Sequence, residues 1–260
     1  MPAGKGKRDY FAKTLEKGIR VLNLFNEEQP VWSLTEVAAA LELNLTSAYR
    51  LVNTFIELGY LKRGEKSKMI SLGPMAVALA HQLLHGFDPN RLIEPRVDDY
   101  HIRYGVSIDV ALLHGDDLIQ VCSRETSGTL TYRQETINRQ LYCTGTGKAI
   151  LATLPHQERE RLLQRQSLAP LTEHTITTVK GLYRELEETR KRGYARNNEE
   201  YIKGLIALAA PIKNLSAGRP LGAVALTSTT LESSLDDFES RFSAVVLSLA
   251  KNLAEVAPNL

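Results

Sequence analysis

Residues 33–73 read SLTEVAAALELNLTSAYRLVNTFIELGYLKRGEKSKMISLG, and their order decides the fold of the first part of the chain. Ser33 followed three residues later by Glu36 is a capping-box pattern, and Leu34, Val37, Ala38 and Leu41 then recur at helical spacing, predicting a helix that ends near Leu43. Asn44 caps a second helix in which Ala48, Leu51, Val52, Phe55 and Leu58 point inward, until Gly59 stops it. The other face of that helix carries Thr46, Ser47, Tyr49, Arg50 and Asn53. Residues 60–63 and 69–72 follow as strands, joined by a basic, turn-rich segment at 64–68. Two short amphipathic helices and a basic two-stranded wing outline a winged helix-turn-helix, which lays its second helix in the major groove of DNA.

The flanking sequence supports this. Thr14 caps a preceding helix whose Leu15, Ile19, Leu22 and Phe25 share a face, and Pro30 excludes its continuation. The outward set on the recognition helix combines hydroxyls, an amide and the Arg50 guanidinium, the last able to make a bidentate pair with guanine or to hold a phosphate. Lys62, Arg63, Lys66 and Lys68 in the wing, and Lys5, Lys7 and Arg8 in the N-terminal tail, suit phosphate contacts. Residues 1–73 hold 11 Lys and Arg against 8 Asp and Glu, whereas the remainder is nearly balanced. The local excess, more than the net charge of +2, points to nucleic acid.

At 260 residues, 43% hydrophobic and 24% charged, the chain has the make-up of two globular domains. No apolar run approaches the roughly 20 residues of a membrane helix. The basic start MPAGKGKRDYFAK lacks the apolar segment of a secretory signal, so the expected location is the cytoplasm. Cys122 and Cys143 alone suggest neither a disulfide framework nor a zinc site, and no metal or cofactor is expected.

Pro74 opens a helix with Met75, Ala76, Leu79, Ala80 and Leu83, which residues 86–90 break. A helix at 92–104 precedes two apolar runs, VSIDVALLHG and DLIQVCSR, that read as a hairpin around residues 114–117. Helical patterns follow at 147–154, 157–164 and 180–192, strands at 204–212 and 221–228, and a last helix at 235–256. Strands and helices mixed without regular alternation indicate an α+β fold. The expected division is a basic tail at 1–13, a winged helix-turn-helix at 14–73, a linker helix at 74–90 and an effector-binding, oligomerising domain at 91–260.

The run Thr144-Gly145-Thr146-Gly147-Lys148 is not a P-loop, because Tyr142 stands where that motif needs its first glycine. A glycine-bearing turn into a helix can still offer backbone N–H groups to an anion, which would suit a carboxylate ligand. Arg133 and Arg139 are candidates to pair with such an acid, and Tyr132 and Tyr142 to form an aromatic wall. The alternatives are surface charges and core rings. Two other functions remain open: an enzyme using Cys143 with His101, His114 or His174, and an architectural DNA binder without ligand control.

These residues together resemble the IclR family of bacterial transcriptional regulators. The likeness is carried by TSAYRLVNTFIELGYL and the wing closing on SLG, by LYCTGTGKAILATLP, and by LTEHTITTVKGLYRELEETRKRGYARNNEEYIKGLIALAAPI. The resemblance implies a GAF-like sensory domain whose Gly145, Thr146, Asn197, Ala207, Ala225 and Thr227 approach a small organic-acid effector, aromatic acids included. It implies further a homodimer or homotetramer on an operator in double-stranded DNA, paired through the linker helices, with RNA polymerase a further candidate partner and repression favoured over activation. Asn44 and Leu45 depart from the Pro and Lys of many members, so base preference does not transfer. Asn197 and Asn198 replace a usual acidic pair, which implies a less acidic pocket, and Ala207 and Ala225 imply a more apolar one.

Overall fold

The computed structural model describes residues 10–26, 29–86, 88–126 and 137–256. They form two compact units that divide after Gly86.

The first unit has the order α1 (Lys13–Leu22), β1 (Val31–Trp32), α2 (Leu34–Ala40), α3 (Leu45–Glu57), β2 (Leu61–Arg63), β3 (Ile70–Leu72) and α4 (Pro74–Gly86). The box at the start of α2 is complete: the Ser33 N–H donates to Glu36 Oε2 at 2.7 Å and the Glu36 N–H to Ser33 Oγ at 3.2 Å. Asn44 Oδ1 accepts the Ser47 N–H at 2.8 Å and starts α3. Gly59, at φ +77°, ends it in the left-handed conformation that favours glycine. Val21, Phe25, Val37, Leu41, Val52, Leu61 and Ile70 close the core.

Three local expectations are corrected. Thr14 lies inside α1, whose N-cap is Ala12 and makes no side-chain bond. Leu15 and Ile19 are exposed, and Gly18 and Val21 face inward instead. A Cβ on Gly18 would already stand 3.4 Å from the Phe55 ring, so the helix seats its smallest residue where α3 comes nearest. Leu58 is also exposed, beyond the end of α3. The wing is joined by an unforeseen third strand: β1 pairs antiparallel with β3 at Val31–Ser71 and Trp32–Ile70, giving the order β1-β3-β2. Two residues after a proline carry no alternation to read.

The second unit runs α5 (Asp88–Tyr104), β4 (Ser107–His114), β5 (Asp117–Arg124), β6 (Ile137–Asn138), α6 (Gly145–Thr153), α7 (His156–Leu163), α8 (Val179–Arg192), β7 (Ala195–Asn198), β8 (Leu205–Lys213), β9 (Pro220–Thr229) and α9 (Leu235–Val256). Residues 88–90, expected to lie in the break after the linker helix, belong to α5, which starts before the expected residue 92 and carries Pro89 in its first turn, where no N–H partner is needed. The strands form one antiparallel sheet in the order β6-β5-β4-β9-β8-β7.

Alternation splits the two faces of this sheet. Ile108, Val110, Ile206, Leu208, Val224 and Leu226 pack with Phe238, Phe242, Val246 and Leu249 of α9 and with Val97 of α5. Ala111, Ala209, Ala223 and Ala225, on the opposite face, pack with Ile150 and Leu151 of α6 and with Leu182 and Leu186 of α8. Small side chains on that second face let α6 lie close to the strands, and the space at its N-terminal end becomes the site.

Candidate functional sites: the α3 face and the α6 cavity

The first site is built on α3. Thr46, Tyr49 and Arg50 are exposed on its outer face, and Ser47 and Asn53 are half-buried. The Arg50 side chain makes no hydrogen bond, ion pair or ring contact among the described residues, while the Arg50 backbone carbonyl accepts the Thr54 hydroxyl at 2.8 Å. In the wing Lys62, Lys66 and Lys68 are exposed. Arg63 is half-buried with its guanidinium 5.9 Å from the centre of the Tyr49 ring. That contact ties the wing to α3, and Nε and Nη2 of Arg63 are left without hydrogen-bond partners. Those two nitrogens are buried, so the cations of the wing that are open to phosphate oxygens are Lys62, Lys66 and Lys68. The tail cations Lys5, Lys7 and Arg8 lie outside the described residues.

The second site surrounds the start of α6. Thr144 Oγ1 accepts the Gly147 N–H at 3.2 Å and the Asn138 side-chain amide at 3.1 Å. The first N–H groups of the helix, those of Gly145 and Thr146, have no acceptor within the helix, and the dipole adds positive potential there. Gly147 is required by distance, since a Cβ there would lie 2.3 Å from the Leu141 carbonyl oxygen, and Gly145 is closely packed, a Cβ there standing 3.2 Å from the Ala209 Cβ.

Strand register supplies the floor. Asn197, Ala207 and Thr227 stand side by side on β7, β8 and β9, and Ala225 on β9 is paired with Asp109 on β4. The cavity between this floor and α6 has a volume of about 40 Å³. Of the seven residues expected near an effector, Gly145, Thr146, Asn197, Ala207, Ala225 and Thr227 line it, and the seventh, Arg133, lies outside the described residues. Asn197 also braces it, donating from Nδ2 to the Cys143 carbonyl at 2.5 Å and accepting the Glu200 N–H at Oδ1 at 3.3 Å.

Asp109, Asn138, Thr144, Tyr201 and Leu205 complete the wall. The lining has one carboxylate, Asp109 of β4, away from the Asn197-Asn198 pair on which the expectation of a less acidic pocket rests. Ala207 and Ala225, the positions from which a more apolar pocket is expected, both line it, beside Leu205 and polar side chains from the other elements. One signal could have found Asp109, since a lone acidic residue inside the apolar run VSIDVALL is unusual in a buried strand. Tyr201 and Asn138 had no such signal, lying in an irregular connector and a two-residue strand.

Arg133 and Tyr132 lie outside the described residues. Arg139 is at the surface, paired with Asp117 at 3.3 Å. Tyr142 is a core residue whose hydroxyl donates to the Ala169 carbonyl at 2.8 Å. Neither lines the cavity.

Behind the cavity Lys148 is fully buried, its Nζ 2.5 Å from Glu200 Oε1 and 3.7 Å from Glu185 Oε1. Burial pushes the Glu200 carboxyl above its usual range against the pull of Lys148. Thr175 and Thr172 donate to the carbonyls of Glu200 and Glu199, at 2.7 and 2.6 Å, and so fix the connector that carries Tyr201. The Cys143 thiol, chief candidate of the enzymatic reading, is buried, and desolvation pushes its pKa up to about 12. A thiol held protonated is a poor nucleophile. Its Sγ approaches the Gln140 carbonyl at 3.6 Å, while His101 bonds the Val106 carbonyl and His174 faces Glu199. Among the described residues no group of three or more His, Cys, Asp and Glu could hold a metal, and no helix is long and apolar enough to cross a membrane.

Comparison with known proteins places both units. Residues 14–65 match the IclR helix-turn-helix domain, and residues 81–255 match the C-terminal domain of bacterial IclR transcriptional regulators. The transcriptional repressor IclR of Escherichia coli is 26% identical over 264 residues, covering 97% of this chain and 96% of that protein. A transcriptional regulator of Rhodococcus sp. RHA1 superposes with a TM-score of 0.78 at 25% identity, covering 96% of this chain and 99% of the other. An IclR homologue of Microbacterium hydrocarbonoxydans, solved with 4-hydroxybenzoate, superposes with a TM-score of 0.74 at 19% identity over 95% of this chain and all of that one.

Proposed function

For a chain that belongs to the IclR family of bacterial transcriptional regulators, we propose an operator-binding switch: α3 reads double-stranded DNA, and a small organic acid in the α6 cavity changes the affinity. The observation that carries the reading is the cavity, in which one strand register and one helix start gather backbone donors, hydroxyls and amides. On this reading residues 14–73 hold the operator, assisted by the tail at 1–13. Residues 74–90 link the units and pair two chains, and residues 91–260 bind the effector and assemble the dimer or tetramer. The protein works in the cytoplasm, represses a catabolic operon, and meets RNA polymerase at the promoter.

Thr46, Ser47, Tyr49, Arg50 and Asn53 contact the major groove, while Lys62, Arg63, Lys66 and Lys68 hold the backbone beside it. Gly145 and Thr146 receive the effector's carboxylate on their N–H groups. Control is linkage: the effector must prefer one arrangement of the chain over the DNA-binding one, and its differential affinity sets the size of the response.

The test pairs two variants. Arg50→Ala should weaken specific operator binding by roughly 1 to 3 kcal/mol in a gel shift, with effector binding by calorimetry unchanged. Thr146→Trp should fill the cavity and remove the response to an organic acid found by thermal-shift screening, with operator binding intact. Operator affinity unchanged by Arg50→Ala would defeat the α3 assignment, and a normal response in Thr146→Trp would move the effector elsewhere. Protection spread along any DNA in a footprint would instead favour an architectural binder.

A further inference from the structure

We propose that Tyr49 of α3 and Arg63 of β2 form a clasp that fixes the wing against the recognition helix, so that the wing lysines reach phosphate oxygens only while it is closed. The inference rests on the DNA reading given above and adds how the wing is held: Arg63 serves the DNA backbone through the lysines that it positions.

The wing needs such a hold. Its inner end is fixed, because Leu61 and Ile70 belong to the core and the Tyr60 N–H donates to the Phe55 carbonyl at 2.9 Å. Its outer end is not: among the described residues no hydrogen bond or ion pair joins α3 to residues 62–69. The turn is bonded to itself. The Gly64 N–H donates to the Met69 carbonyl at 2.9 Å, the Lys68 N–H to the Gly64 carbonyl at 3.0 Å, and the Met69 N–H to Ser67 Oγ at 3.3 Å. A turn of this kind moves as a unit with its base. Arg63 is that base, the last residue of β2, paired with Ile70 across the wing.

Tyr49 supplies the missing hold. The Arg63 guanidinium stands 5.9 Å from the centre of the Tyr49 ring, within the roughly 6 Å reach of a cation–π attraction. Its Nε and Nη2 are buried with no hydrogen-bond partner, so the side chain gives up hydration along that edge to sit there. An arginine serving only as a surface charge would keep those donors in water. Lys62, Lys66 and Lys68 do stay exposed. The charges offered to DNA and the contact that aims them are thus carried by different residues.

The experiment measures binding of the full-length protein to a duplex that the wild type selects from a random pool, by fluorescence anisotropy over a range of salt concentrations. In the wild-type background Lys66→Ala, a lost phosphate contact, should lower the slope of log affinity against log salt by about 0.9. In Tyr49→Ala and in Arg63→Ala the same change should do almost nothing, because the turn has already left the backbone. Tyr49→Phe keeps the ring and should restore the full effect of Lys66→Ala, whatever the tyrosine hydroxyl touches. If Arg63→Ala does not fold by circular dichroism, the exposed Tyr49 tests the same clasp. An equal loss from Lys66→Ala in every background, or a Tyr49→Phe that behaves as Tyr49→Ala, would overturn the inference. So would the absence of any slope change from Lys66→Ala and Lys68→Ala in the wild type, since the clasp would then have nothing to aim. The DNA reading would survive these results as long as Arg50→Ala loses the selected duplex. If the wild type selects no duplex, both readings fall.

Discussion

α3 and α6 start with the same device, a polar cap accepting the third N–H of the helix, Asn44 from Ser47 at 2.8 Å and Thr144 from Gly147 at 3.2 Å. From there they diverge. α3 buries only Ala48 and Val52 fully and offers a polar outer face, whereas every residue of α6 except Thr153 is buried. A helix that works through exposed side chains can vary its packing with little consequence for its chemistry. A helix that works through its backbone must be brought close to its neighbours, and the residues that allow the approach become part of the site.

The third position of each helix gives the largest test of this difference. A Cβ on Gly147 would meet the Leu141 carbonyl oxygen at 2.3 Å and its Cα at 2.4 Å, backbone atoms that cannot swing aside. Gly147→Ala should cost about 3 kcal/mol, the upper end of ordinary overpacking. The matching change in α3, Ser47→Ala, alters a half-buried side chain and should stay within about 0.5 kcal/mol. Urea unfolding of the two variants measures both. Equal effects would mean that α6 is not held by the contact that its burial implies.

The same divergence explains which parts were legible. Caps, periodicity and glycine stops are local, so α2, α3, the wing strands and α9 could be read from neighbouring residues. The apolar faces of α1 and α3 were misread at Leu15, Ile19 and Leu58, because local spacing does not say which side a partner occupies. In the cavity, Gly145, Thr146, Asn197, Ala207, Ala225 and Thr227 came from family resemblance; no spacing rule joins residues 80 positions apart. Their meeting is a product of the register that sets Asn197 beside Ala207 and Ala207 beside Thr227. Asp109 was missed because a strand read for its apolar pattern hides the one residue that breaks it.

The caps themselves make a finer comparison. Asn44 is exposed and serves one N–H, so Asn44→Ala should cost about 1 kcal/mol. Thr144 is buried and accepts from Asn138 as well as Gly147, so its loss leaves a second donor unsatisfied. Thr144→Ala should therefore cost about 2 kcal/mol. It should also weaken acid binding, because the Thr144 hydroxyl lines the cavity and seats the first turn of α6. If both caps cost the same, and acid binding is indifferent to Thr144, burial adds nothing to capping here.

The smallest expected effect separates the units by sign. The Ser33 N–H, and then the Ser33 hydroxyl, hold the exposed Glu36 carboxyl below its ordinary value of 4.5. A carboxyl whose folded pKa is lowered stabilises above its unfolded value, and the contribution disappears as pH falls through the folded one. Burial raises Glu200, so its contribution is complete below the unfolded value and is lost as pH rises through the folded one. Thermal unfolding from pH 3 to pH 7 should show wild type gaining on Glu36→Ala as pH rises and losing ground to Glu200→Gln over the same range. Exposure and solvent screening keep the Glu36 difference small, so its direction is the useful reading. Parallel trends in the two comparisons would show that the pull of Lys148 outweighs desolvation at Glu200. The ion pair behind the cavity would then stabilise α6 directly, and α6 would owe its position to charge as well as to close contact.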